Sequence, residues 1–160
     1  MNAYKFNQPI DSSGSHWDVS GVENMNSMFR GAKEFNQPIG RWNLWVGRSM
    51  ADMFNGATNF NQPINTYTQP ITLNGNTYKP WSVDYVLNMS NMFKDTSFNQ
   101  PINRWETTRV KDMRAMFWGA SKFNQPIDTS GSRWDVSSVT NMGTMFDSCL
   151  LYTSPSPRDA

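Results

Sequence analysis

Two short motifs return along the chain in fixed register, and this constrains the fold more than any other feature. Phe-Asn-Gln-Pro-Ile begins at Phe6, Phe35, Phe60, Phe98 and Phe123, in steps of 29, 25, 38 and 25 residues. Met-x-x-Met-Phe begins at Met25, Met50, Met89, Met113 and Met142, each time eight residues after a tryptophan: Trp17, Trp42, Trp81, Trp105 and Trp134. The basic period is 25 residues, with four extra in the first and last units and fourteen in the third, where one residue is also missing before Phe98. Residues 102–123 carry the unit in its plainest form. A unit this small cannot enclose its own apolar side, whereas like units stacked on one another can.

Spacing inside the unit predicts its local structure. From Val110 the apolar positions run Met113, Met116, Ala120 and Phe123, largely in steps of three, which fits a 3₁₀ or irregular helical turn. Trp17-Asp18-Val19-Ser20 alternates in steps of two and reads as one very short parallel strand per unit. The proline of Asn-Gln-Pro-Ile belongs in a turn, since it has no N–H for a ladder. Gly31-Ala32, Gly56-Ala57 and Gly119-Ala120 mark a tight corner. Asp95-Thr96 replaces that pair where the residue is missing, so this corner is expected to be the least regular. Gly47 stands where other units have Val22, Val86, Val110 and Val139, which predicts a local shift of the second unit.

Residues 1–149 read as a single repeat domain of about five units. Met1 falls inside a unit, so the domain is expected to be truncated at its N-terminus. Residues 65–80 are a long polar insertion, and Asn74-Gly75 within it signals a hairpin turn. Residues 150–160 break the pattern and are expected to be a disordered or artefactual tail. The formal net charge of +1 and the lack of a basic block give nucleic acid no electrostatic purchase. No apolar run is long enough to span a membrane. Cys149 is the only cysteine, so neither a disulfide framework nor a zinc spacing exists. His16 is the only histidine and is expected at the surface. Ten of the eleven methionines fill Met-x-x-Met-Phe and read as soft core filler rather than metal ligands. No cofactor is implied.

The unit Trp-Asp-Val-Ser-x-Val-x-Asn-Met-x-x-Met-Phe-x-Gly-Ala-x-x-Phe-Asn-Gln-Pro-Ile resembles the repeat of the BspA-like leucine-rich-repeat surface proteins, of the mycoplasma lipoprotein type. Ile39, Trp42 and Leu44 stand where such repeats have Leu-x-x-Leu-x-Leu, and Thr107 departs from that pattern after Ile102 and Trp105. Met116-Phe117, Ala120 and Phe123 stand where the family has Ala-Phe, Cys and Leu. The resemblance implies a right-handed solenoid of leucine-rich-repeat type, with one short parallel strand plus a 3₁₀ or irregular helical turn per repeat. It also implies display at the cell surface or outside the cell, adhesion or protein binding, and no catalytic residues. Residues 150–160 separately resemble translated sequencing-adapter sequence.

On the strand reading, positions around each tryptophan form outward ladders with neighbours about 4.8 Å apart. The residue before it reads His16, Arg41, Pro80, Arg104 and Arg133; the residue after reads Asp18, Asn43, Ser82, Glu106 and Asp135. Trp45 and Trp118 are aromatics at otherwise polar positions, suited to anchoring a partner. The candidate binding residues are therefore Arg41, Asn43, Trp45, Arg104, Glu106, Trp118, Arg133 and Asp135. Asn88-Met89-Ser90 matches a glycosylation acceptor, but on a core methionine. The function expected is a non-catalytic repeat scaffold that binds a protein or glycan, acting as a cell-surface adhesion module. Alternatives are a structural spacer within a larger protein and a polysaccharide-acting solenoid enzyme built on Glu106 and Asp135.

Overall fold

A computed structural model of the chain describes residues 3–12, 15–127 and 131–149. The described residues are almost entirely turns and coil, with no helix. Strand β1 (Asp11–Ser12) pairs antiparallel with β2 (Ser15–His16), and β3 (Ile71–Leu73) pairs antiparallel with β4 (Asn76–Tyr78). The second hairpin lies in the insertion and closes at Asn74-Gly75, as the sequence predicts. Both turn residues have positive φ, 50° and 79°, the geometry whose twist matches paired strands. Thr72 faces Thr77 across it, with the two hydroxyls 2.9 Å apart.

The leucine-rich-repeat solenoid is not what forms. No strand runs through Trp-x-Val, and no 3₁₀ helix follows it. The inward alternation there arises from turns: Val22, Gly47, Val86, Val110 and Val139 each donate an N–H to the carbonyl three residues back. A backbone committed to its own turn has no donors left for a sheet. Among the described residues the parallel pairing between units is one residue wide, through single bridges joining Asn24, Ser49, Asn88, Asp112 and Asn141.

What stacks instead is the Met-x-x-Met-Phe segment, folded as consecutive turns. Two positions per unit take left-handed backbone. The first is held by Ser27, Asp52, Asn91, Ala115 and Thr144; the second by Gly31, Gly56, Asp95, Gly119 and Ser148. Such φ values are costly for residues with a Cβ, less so for Asn and Asp. The chain accepts them because they aim alternate N–H groups at the next unit. Met89, Asn91, Phe93 and Asp95 donate to the carbonyls of Asp112, Arg114, Met116 and Trp118 at 2.8–2.9 Å, and the other unit pairs repeat this pattern.

A second ladder explains Phe-Asn-Gln-Pro-Ile. The Asn61 side-chain oxygen accepts from the Asn99 N–H at 2.8 Å and from the Gln100 amide, which also donates to the Asn61 carbonyl. Asn7, Asn36 and Asn99 do the same for the units that follow them. Between the two ladders lies the core. Phe54, Phe93 and Phe117 stack at 5.5–5.7 Å, beside a second column of Phe60, Phe98 and Phe123. Each buried phenylalanine contributes about 1.5–3 kcal/mol by its transfer from water.

The Asp95-Thr96 corner is less regular than its counterparts, as expected, while Gly47 disturbs its unit little. Asp95 takes the left-handed corner, and the Thr96 hydroxyl donates to the Phe93 carbonyl, doing the work of the missing main-chain bond. Gly47 closes the same kind of turn as the valines, on the Leu44 carbonyl at 2.8 Å, but more tightly, since a Cβ there would sit 3.0 Å from that carbonyl. The 150–160 tail and residues 128–130 lie outside the described residues, as does the side chain of His16.

Candidate functional site

The third unit differs from the others around its tryptophan. Trp42, Trp81 and Trp105 are buried in the core, but only Trp81 has positive φ, at 53°. A bulky residue in this region is strained, and such strain persists only where the surroundings impose it. Here the insertion imposes it. Residues 65–80 return through Lys79-Pro80, the Trp81 carbonyl accepts from the Thr66 hydroxyl at 2.6 Å, and the Trp81 indole donates to the Ile39 carbonyl at 2.7 Å. The hairpin is anchored by Tyr78, whose hydroxyl donates to the Arg41 carbonyl at 2.6 Å. Burial, and then the nearby Asp11 carboxylate, raise the Tyr78 phenol above its ordinary value; Arg41 works against them.

The strain sets Ser82 apart from its counterparts. Asp18, Asn43 and Asp135 occupy the same position in their units, and each turns its side-chain oxygen back to accept the N–H two residues on. Ser82 does not. It is 4% exposed and its hydroxyl has no hydrogen-bond partner. Among the described residues the other buried side-chain nitrogen or oxygen without a partner is the Trp42 indole nitrogen. Its counterparts on Trp81, Trp105 and Trp134 bond to an isoleucine carbonyl of the unit before, whereas the Ile10 carbonyl already accepts from the Trp17 N–H.

Two clefts meet at Ser82, sharing Lys79, Ser82 and Asp84 in their walls. The larger, about 670 Å³, runs beside the hairpin and is lined by Asn43, Trp45, Thr77 and Tyr78. Trp45 is 53% exposed, yet its ring is backed edge-on by Tyr85 at 4.9 Å. Tyr85 is itself held by the guanidinium groups of Arg48 and Arg109, at 5.0 and 4.7 Å from its ring centre. The smaller cleft, about 320 Å³, is lined by Thr66, Tyr67, Thr68, Arg104 and Arg133 besides the shared residues.

The structure thus brings Asn43 and Trp45 to one cleft and Arg104 and Arg133 to the other. The remaining candidates lie elsewhere. Arg41 is engaged by Asp11, 3.2 Å from its carboxylate. Trp118 lies under the Lys94 ammonium. Glu106 lines neither cleft. The Asp135 carboxyl is held below its usual value by the Ser137 hydroxyl and then by the Ser137 N–H, the opposite of what an acid catalyst needs. Asn88-Met89-Ser90 is folded into the stack, with Met89 and Ser90 buried. Among the described residues no cluster of His, Cys, Asp or Glu could hold a metal ion. No helix there is long and apolar enough to cross a membrane.

Fold and site together define a chain of hydrogen-bonded turn units with a paired cleft built by one insertion. The chain belongs to the family described as a Mycoplasma protein of unknown function, DUF285, whose model matches residues 1–73 and 67–157. No curated protein and no solved structure matches it. The resemblance to BspA-like leucine-rich-repeat proteins is corrected accordingly. The matching model is a different one, and the helical turns of that class are absent. The repeat-scaffold function falls with the solenoid, and so do its spacer and solenoid-enzyme alternatives. A ligand face made of repeating ladders needs a sheet at Trp-x-Val; instead Asp18, Asn43 and Asp135 fold onto their own backbone and Arg41 onto Asp11.

Proposed function

We propose that the chain is a non-catalytic binding protein whose ligand, a short glycan, lies in the larger cleft beside the β3–β4 hairpin. The observation that carries this reading is Trp45, an exposed indole fixed from behind by Tyr85 and its two arginines. A flat, pre-positioned ring suits the apolar face of a sugar, because little side-chain freedom is lost on binding. Asn43, Asn76 and Lys79 line the same cleft, where sugar hydroxyls need partners. On this reading the chain works at the cell surface or outside the cell, where glycans are displayed. Calorimetric titration with a panel of oligosaccharides tests the reading. At least one should bind, and Trp45→Ala should weaken it about tenfold or more, the loss expected of an anchoring aromatic. Absence of binding across the panel, or binding indifferent to Trp45, would overturn it.

A further inference from the structure

The smaller cleft carries charge that the larger one lacks. Arg104 and Arg133 line it with Lys79, facing a single carboxylate, Asp84. Neither guanidinium forms an ion pair among the described residues, in contrast to Arg41 and Arg114. Three cations against one anion leave the cleft positive in a protein whose net charge is only +1. Ser82 lines it too, and its hydroxyl is buried and without a partner, at the position where three other units spend an Asp or Asn oxygen on their own backbone. A buried hydroxyl left unpaired is costly, and here it follows directly on a tryptophan with left-handed backbone. A hydroxyl donor among unpaired guanidinium groups matches an oxyanion, which accepts several charge-assisted bonds at once.

Building on the glycan reading, we propose that the smaller cleft is the carboxylate subsite of the same ligand site, so that the glycan bound is an acidic one carrying a uronate. Ser82 and Lys79 border both clefts, so one ligand can place its ring on Trp45 and its carboxylate between Arg104 and Arg133. Asp84, also in both walls, then accepts from sugar hydroxyls and disfavours a second anionic group at the junction.

The test compares oligogalacturonate with its fully methyl-esterified form, which differs only in the carboxylates, and with sodium sulfate at matched ionic strength. ¹⁵N spectra of the full chain report on the Arg104 and Arg133 side chains, the Ser82 amide and the Trp45 indole. Oligogalacturonate is expected to shift all four and to bind about tenfold or more tightly than the ester, the scale of one charge-assisted bond. Ser82→Ala and Arg133→Gln should each narrow that preference while the ester still shifts Trp45. Equal binding of acid and ester at Trp45 would overturn the subsite and leave the glycan reading standing. Sulfate shifting the arginines as strongly as oligogalacturonate would overturn it in favour of a free inorganic anion. No shift with any of the three would overturn the subsite, while the wider oligosaccharide panel decides the glycan reading separately.

Discussion

Thr107→Val removes one oxygen from the stack and changes little else. Thr107 is fully buried, and its hydroxyl joins the fourth unit to the fifth twice over: it donates to the Asp135 carbonyl at 3.0 Å and accepts the Asp135 N–H at 2.8 Å. Valine keeps the shape and the β-branch, so the loss is close to purely polar. A net hydrogen bond contributes about 1 kcal/mol, and a main-chain group left dry costs up to about 3 kcal/mol. Asp135 is half-buried, so water relieves part of that penalty, and about 2 kcal/mol is expected in total. For a chain of this size that lowers Tm by about 4–8 °C. Thermal unfolding followed by circular dichroism reads it, with Thr107→Ser retaining most of the wild-type Tm because the hydroxyl is restored. A valine variant within about 1 °C of wild type would refute the claim that this hydroxyl is a structural link between units.

Three further outcomes follow from the same geometry. Gly119→Ala should destabilise by about 1–2 kcal/mol for its left-handed backbone, and more than Gly31→Ala, because a Cβ at 119 runs into the Asp95 carboxylate and one at 31 meets nothing; denaturant midpoints compare them. Ser82→Ala, which deletes an unpartnered buried hydroxyl, should raise Tm by about 3 °C in the absence of ligand; a fall in Tm would mean that the hydroxyl is satisfied. The depressed Asp135 carboxyl contributes stability that is present above its unfolded value of about 3.9 and is lost as pH falls through the lower folded value. Asp135→Asn should therefore lower Tm slightly in the neutral region, where that contribution is present, leave it unchanged at low pH, and so flatten the acid limb.

The register of the chain was legible because two motifs had to recur for the units to meet. Inward rows were legible for the same reason: Trp42, Leu44, Met50 and Phe54 point to the core whatever backbone carries them. The backbone itself was not. A step of two at Trp-x-Val is what a strand produces, but a tight turn closed on Val110 or Gly47 produces it as well. Left-handed positions held by Ala115 and Thr144 leave no compositional trace, although Gly31 and Asn91 do. The Asn-Gln ladder was overlooked because its partners lie 25 to 39 residues apart, and only the recurrence of the pair itself could have shown it. In the candidate site, Asn43 and Trp45 stood out by type and position. Ser82 did not, since its meaning depends on a strained tryptophan and on an insertion whose path no local pattern fixes. The one available signal was serine after Pro80-Trp81, where three other units have Asp or Asn.

The most direct measurement is a titration of the full chain with neutral and acidic oligosaccharides, followed through its tryptophan indole ¹⁵N signals, with Trp45 assigned from Trp45→Phe. The account predicts that the Trp45 indole moves with ligand and saturates, while the Trp118 indole, under Lys94 and away from both clefts, stays in place. Movement of Trp118 instead, or of no indole with any sugar, would contradict the claim that the insertion hairpin builds the binding site.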